Sequence, residues 1–324
     1  MKKIVVTGSI AFDYLMSFPG HFNEVIMPEQ LQNISLSFLV DSMVKQRGGV
    51  AANIAYTLAL LGGRPTIMAT AGQDFTEYRI WLEAQGVDTS ALVTIDNVFT
   101  ASFFVTTDLD QNQIASFYTG AMAFAKDLTF KEYAPDAALA IISPNDPQAM
   151  QSHIRECKAL GIPYIYDPSQ QTIRLSGEEL YEGINGCYLL AINNYEFHLI
   201  QERTGLDKSG ILDLVDVLLI TSGAEGSELI ADGQSWHIPA VPPVEIIEPT
   251  GAGDAFRGGL LRGMELGLPW PVAGRMGALA STHVLENIGT QNHYFTAEDF
   301  VNRYREHFDD EGALDILITS LVAN

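Results

Sequence analysis

The sequence predicts an α/β fold with a mostly parallel central sheet, helices on both faces, and a second, smaller sheet. Three observations carry this. From residue 138 onward, short buried-type apolar runs alternate with helical stretches, the pattern of βαβ units. In the first third, apolar and polar residues alternate within strands instead, as in a sheet with one face open to solvent. Finally, 47% of the 324 residues are hydrophobic, enough for a large core and against disorder. The length favours one domain, residues 1–324, with small-sheet strands inserted at about 12–47 and 99–120.

In order, residues 3–7 form an opening strand that ends at Gly8-Ser9 and runs into Ala11-Phe12-Asp13. Alternation through Leu36, Phe38 and Val40 to Arg47-Gly48-Gly49 predicts a half-covered strand. A nearly all-apolar helix follows over 51–61, stopped by Gly62-Gly63 with Pro65 beyond. Residues 66–71 read as a strand, 75–85 as a helix and 101–107 as an alternating strand that turns back through 108–113 into 114–118. Buried-type strands are expected at 139–142, 164–166, 188–192 and 217–221, with helices at 148–160, 178–182 and 196–203 between them. Asp232-Gly233 is a two-residue turn joining strands 227–231 and 234–238. Three helices, from Asp254, Trp270 and Ala297, are expected to end the fold. The tail 310–324, with Leu314, Ile316, Ile318 and Leu321, reads as a last strand or helix.

Lys+Arg of 18 against Asp+Glu of 40 gives a net charge of −22, which argues against a nucleic-acid polymer or an anionic membrane as partner. A small anionic ligand stays compatible if a divalent cation and a local anion hole offset that field. Cys157 and Cys187 are too few for a disulfide framework and read as buried free thiols in a reducing compartment. The Ile-Val-Val run after Lys2-Lys3 is too short for a signal segment, and the apolar run 50–61 is broken by Asn53 and Thr57. The expectation is a soluble cytoplasmic protein.

The chemistry is expected at Glu248-Pro-Thr-Gly-Ala-Gly-Asp254-Ala-Phe256. Gly251, Ala252 and Gly253 precede a helix whose apolar residues Phe256, Leu260 and Met264 recur every four positions. A helix start carries unpaired N–H groups and a positive dipole end, and small residues let an anion approach them. Asp254 adds a carboxylate at the edge of that anion site, which suggests a base aimed at a hydroxyl nucleophile; it also reads as a plain helix cap.

Further polar clusters stand where strands end, the position at which open parallel sheets bind ligands. Asp13 reads as a turn residue or a ligand group. Asn53, in the first turn of an apolar helix, must be hydrogen-bonded, either tying a loop or gripping a polyol together with Gly48 and Gly49. Asn193 and Glu196 have capping-box spacing. Thr221-Ser222-Gly223-Ala224-Glu225-Gly226 is a glycine-rich turn or a ligand loop. There is no P-loop, no dinucleotide fingerprint, no His-Glu-x-x-His and no Gly-x-Ser-x-Gly elbow.

Over nearly its whole length the chain resembles the ribokinase-like, or PfkB, family of small-molecule kinases. Four motifs stand in the family's order: Gly48-Gly49-x-x-x-Asn53, Asn193-x-x-Glu196, Thr221-x-Gly223-x-x-Gly226 and Thr250-Gly251-Ala252-Gly253-Asp254. Ser9-Ile-Ala-Phe-Asp-Tyr14, Ser37-Phe-Leu-Val-Asp41 and Asn53-Ile-Ala-Tyr56 look most similar to its adenosine- and nucleoside-kinase branch. The resemblance implies a three-layer sandwich whose small sheet is a lid. It implies that Asp254 takes the proton from a primary hydroxyl attacking the γ-phosphate of ATP, with the Gly251–Asp254 backbone as anion hole. It places Asp13, Gly48, Gly49 and Asn53 on sugar hydroxyls and Glu196 on Mg²⁺ through water, with Asn193 nearby. Thr221, Ser222, Gly223, Glu225, Gly226 and Thr250 would line the ATP site.

One departure is Glu248, where the family commonly has Asp in a region that helps hold a monovalent cation, which leaves K⁺ activation open. The expected activity is phosphorylation of a nucleoside such as adenosine; the alternative is a free-sugar kinase. Phe103, Phe104, Phe117 and Met122 either form an apolar slot for a base or are ordinary core of the small sheet. A catalytically silent binding protein is the reading from another class. An exposed apolar lid would also suit a homodimer, although monomers occur among relatives.

Overall fold

The computed structural model describes residues 3–26 and 35–322. The chain opens with β1 (Ile4–Thr7), β2 (Ala11–Ser17), α1 (Phe22–Val25), β3 (Ser42–Gly48), α2 (Val50–Leu60) and β4 (Thr66–Gly72). It continues through α3 (Thr76–Ala84), β5 (Leu92–Ile95), β6 (Ala101–Thr107), β7 (Gln113–Tyr118), α4 (Phe130–Tyr133) and β8 (Leu139–Ile142). The alternating half follows as α5 (Pro147–Leu160), β9 (Tyr164–Tyr166), α6 (Gly177–Ile184), β10 (Leu189–Asn193), α7 (Asn194–Thr204), α8 (Lys208–Leu212) and β11 (Val217–Thr221). The hairpin β12 (Ser227–Ala231) and β13 (Gln234–Ile238) precedes four helices, α9 (Ala252–Glu265), α10 (Trp270–Leu285), α11 (Ala297–His307) and α12 (Asp315–Val322).

The large sheet has nine strands in the order β13-β12-β11-β10-β9-β8-β1-β4-β5. All pairings are parallel except those of the edge hairpin, whose turn holds Asp232 and Gly233 at positive φ (52° and 71°) as a two-residue turn of this kind requires. Strand side chains alternate between the two faces. Val6, Ile67, Ile141, Leu189 and Leu219 pack under α2, α3 and α9. Val5, Met68, Ile142, Leu190 and Leu218 pack under α5, α6 and α7. That alternation makes three layers, as expected. A smaller sheet, β3-β2-β6-β7, stands apart, and every residue of its edge strand β7 is exposed.

Several expectations are corrected. The stretch through Leu36, Phe38 and Val40 is not a strand; β3 begins at Ser42, because Phe38 leaves the alternation to pack edge-on against Phe18 and Phe22. Strand β5 is not expected from the sequence, and β2 is expected only within the small-sheet insertion at about 12–47. Helix α9 starts at Ala252 rather than Asp254, because Gly251 takes the left-handed conformation (φ 83°) and serves as the cap. The tail after residue 309, open in sequence between strand and helix, forms the helix α12. Leu314, just before α12, and Leu317 within it are buried against α10 and α11 while Ile316 is exposed, so helical spacing overrides the apparent alternation. The side chain of Leu321 lies outside the described residues.

Candidate active site

Strand β1 sits where the chain reverses direction, with β4 on one side and β8 on the other. A cavity of about 960 Å³ opens beyond the carboxyl ends of β1, β8, β9, β10 and β11, where such sheets bind ligands. The small sheet overhangs it through Leu15, Phe103, Val105 and Phe117.

The cavity floor is the start of α9. A side chain on Gly251 would collide with Thr290, and its positive φ favours glycine. The backbone N–H groups of Gly253 and Asp254 donate to no group of the described residues, which leaves them for a ligand. The Asp254 carboxylate accepts a hydrogen bond from Asn53 Nδ2 at 2.8 Å. Asn53 Oδ1 in turn accepts from Thr290 Oγ1 (2.8 Å) and Gln291 Nε2 (2.6 Å), which fixes the buried amide against the carboxylate. The Tyr78 hydroxyl links this network to the Gly48 carbonyl at 2.9 Å.

Asp254 is half-buried toward the cavity and ringed elsewhere by protein. Desolvation pushes its carboxyl up to about 7, against the pull of the Asn53 bond and the Arg257 charge. A helix start would favour an ordinary ionised carboxylate, but burial wins. A group that titrates near neutrality is well matched to proton transfer.

On the other side of the floor, Asp13 is pushed up to about 6 by burial and by the nearby Glu248 charge. A side chain on Gly48 would overlap the Asp13 carboxylate, and one on Gly49 (φ 97°) would strike the Ser9–Ala11 backbone. The glycines therefore bring β3 and the start of α2 against Asp13. Glu248 accepts the Gly289 N–H at 2.8 Å and lines the cavity.

Asn193 and Glu196 do form a capping box: the amide accepts from Glu196 N (2.8 Å) and the carboxylate from Asn193 N and Nδ2 (both 2.8 Å). Both also face the cavity. Burial and the Asp167 charge raise the Glu196 carboxyl. Its oxygens are already engaged, which fits contact with a cation through water rather than direct chelation. Among the described residues, the group of side chains close enough to chelate a metal lies elsewhere, at His21, Asp108 and Asp110, where Asp108 serves the turn by accepting three backbone N–H groups.

Thr221 and Thr250 line the cavity, whereas Ser222, Gly223, Glu225 and Gly226 stand outside it, on the loop that turns from β11 into β12. There Ser222 is held by Asn194 Nδ2 (2.7 Å) and by its own N–H to the Gly226 carbonyl (2.8 Å). Ala252 also falls outside, its carbonyl taken by Ser281. Of the four apolar residues named for a base slot, Phe103 and Phe117 on the small sheet and Met122 on the 3₁₀ segment after β7 face the cavity. Phe104 points away and stacks on Tyr14.

Several cavity residues carried no signal in the sequence. Arg257 is buried in a two-pronged ion pair with Asp167 (2.6 and 2.7 Å), and it also donates to the Gly253 carbonyl at 2.9 Å. The 3₁₀ turn Ser169–Ile173 after β9 brings Ser169, Gln170, Gln171, Ile173 and Arg174 to the wall. Gln46 and Thr290 complete it. Arg257 stands only three residues after Asp254, but its partner Asp167 is 90 positions away, so spacing does not show the pair; Asp167-Pro168 directly after a buried strand is a strand-end signal of the same kind as Asn193.

The fold is that of the ribokinase-like kinases. The nucleoside kinase of Methanocaldococcus jannaschii, an archaeal member of the ribokinase family, matches with a TM-score of 0.84 at 28% identity over 95% of this chain and 99% of its own. The Burkholderia thailandensis nucleoside kinase in complex with inosine matches with a TM-score of 0.84 at 36% identity, over 94% and 98% of the two chains. A curated nucleoside kinase from Methanothermobacter thermautotrophicus is 30% identical over 307 residues, 94% of this chain and 96% of the relative. The family model described as pfkB family carbohydrate kinase matches residues 1–297, and the chain belongs to that family. It is thus a phosphotransferase that acts on a hydroxyl group.

Proposed function

We propose that the protein transfers the γ-phosphate of ATP to the 5′-hydroxyl of a nucleoside. The observation that carries this is the joining of two halves in one cavity: carboxylates and free N–H donors on the floor, and an apolar wall of Phe103, Phe117 and Met122 above. A free sugar needs only the floor. A base needs the wall, since flat rings stack on exposed aromatic faces. The likeness to nucleoside kinases, one of them in complex with inosine, supports the same reading.

In this reading Asp254, held by Asn53, accepts the proton of the acceptor hydroxyl as it attacks. The N–H groups of Gly251, Gly253 and Asp254 hold the charge on the transferring phosphoryl, with Ala252 keeping the turn small. Phosphoryl transfer passes through a loose transition state, so positioning and charge stabilisation matter more than base strength. Asp13, with Gly48 and Gly49 shaping the space beside it, receives the ribose hydroxyls, while Asn53 acts mainly through Asp254. Asn193, Thr221 and Thr250 form the nucleotide side. The loop Ser222, Gly223, Glu225 and Gly226 flanks it and would meet the purine of ATP only beyond the enclosed cavity. Glu196 would hold Mg²⁺ through water; the ion, when bound, neutralises charge between the phosphates. The four-stranded sheet acts as the lid that excludes water.

The test is ATP consumption with Mg²⁺ against a panel of nucleosides and free sugars, with and without K⁺. Turnover on nucleosides well above ribose and fructose is expected. Faster turnover on a free sugar would overturn the nucleoside reading. Binding with no turnover on any member would leave a silent binding protein.

A further inference from the structure

The cavity has a charge problem. It is lined by four carboxylates, Asp13, Glu196, Glu248 and Asp254, yet on the proposed reading it must take a polyanionic nucleotide in a chain of net charge −22. Among the described residues, two cations line it. Arg257 is buried and committed to Asp167 and the Gly253 carbonyl, so it stabilises the floor but cannot swing to a ligand. The other is Arg174, which is exposed and whose guanidinium has no hydrogen-bond or ion-pair partner among the described residues.

The turn that carries Arg174 is held firmly. Ser169 adopts a positive φ (41°) that non-glycine residues rarely take. Thr172 Oγ1 closes on the Ser169 carbonyl (2.7 Å), Gln171 Nε2 donates to the Asn145 carbonyl (2.8 Å), and Arg203 Nη2 holds the Ile173 carbonyl (2.8 Å). The Arg174 N–H itself donates to the Gln171 carbonyl at 2.8 Å. A turn fastened at this many points, with a strained residue at its entry, presents its one cation from a fixed base.

Topology says where that cation stands. β9 lies between β8, whose end carries Pro144 on the acceptor side, and β10, whose end carries Asn193 on the nucleotide side. The turn springs from the end of β9, two residues after Asp167, the residue that Arg257 ties to the start of α9. Arg174, at the end of that turn, lines the same cavity as Gly253 and Asp254 at the start of α9.

We propose that Arg174 is a phosphate-binding catalytic residue that contacts the transferring phosphoryl. This rests on the kinase reading above. A planar guanidinium suits two phosphate oxygens at once, and an exposed, unpaired arginine reaches them without breaking a native contact.

The test compares Arg174→Gln and Arg174→Lys with the wild-type protein by calorimetric binding of the ATP analogue AMP-PNP with Mg²⁺, binding of inosine alone, and steady-state turnover. Because the Arg174 guanidinium has no hydrogen-bond or ion-pair partner among the described residues, both variants should melt within a degree or so of wild type. The glutamine variant should bind AMP-PNP about tenfold more weakly and turn over about a hundredfold more slowly, with inosine affinity unchanged within twofold. Lysine should restore part of the nucleotide affinity. Weakened inosine binding with unchanged AMP-PNP binding would make Arg174 a contact to the acceptor and overturn the proposal, as would no change in any measurement. If wild type turns over no acceptor at all, the kinase reading fails separately, while the AMP-PNP arm still decides whether Arg174 meets phosphate.

Discussion

Asp254 should make the folded protein less stable at the pH where it works. Burial moves its carboxyl from an ordinary value of 3.8 to about 7. Between about pH 4 and 7 the native state then keeps a proton that the unfolded chain has released, so stability falls as pH rises through that window. Three pKa units correspond to about 4 kcal/mol above pH 7. Cavity water beside the half-buried group trims this to about 2–3 kcal/mol. Asp254→Asn removes the charge and keeps an oxygen for the Asn53 hydrogen bond. Its melting temperature at pH 8 should exceed that of the wild type by about 3–5 °C for a chain of this size. The gain should shrink below pH 7 and vanish near pH 4. Turnover should fall at least about a hundredfold in the same variant. Calorimetric scans from pH 4 to 8 test the stability half. A melting difference that is negative at pH 8, or constant with pH, would refute the claim that a desolvated charge is stored at this position.

Two further predictions follow from the walls of the cavity. Asp167→Leu or Arg257→Met alone leaves a buried charge without its partner and should cost about 3–5 kcal/mol in urea denaturation, whereas the double variant should recover much of that loss; strictly additive losses would show the pair to be uncoupled. Phe117→Ala should raise KM for inosine about 5- to 100-fold while leaving KM for ATP near its starting value. An unchanged inosine KM would mean that the base does not lie against the lid.

The sequence by itself determined the layers. A strand buried on both faces must be apolar at successive positions, and a helix on its surface must repeat every three to four residues. The pattern from Leu139 to Ile238 obeys both rules, and its strands fall within a residue of expectation. The Asp232-Gly233 turn and the Asn193–Glu196 capping box were legible for the same reason: their physics is confined to a few neighbouring residues. So was the glycine-rich start of α9.

What the tertiary structure alone decided is what those local pieces do to one another. Asn53 and Asp254 are 201 positions apart in the chain, and nothing in either neighbourhood states that one amide will hold one carboxylate. The rise of Asp254 to about 7 depends on atoms contributed by distant segments, so a reading of the helix start by itself predicts the opposite direction. Arg257 against Asp167, and Arg174 without a hydrogen-bond or ion-pair partner among the described residues, are indistinguishable as letters. Phe104 and Phe103 differ only in strand parity, which sends one into the cavity and the other onto Tyr14. Local sequence fixes an element because its forces act within a few residues. A site is fixed by desolvation and charge summed over every segment that closes around it, and that sum exists only once the chain has folded.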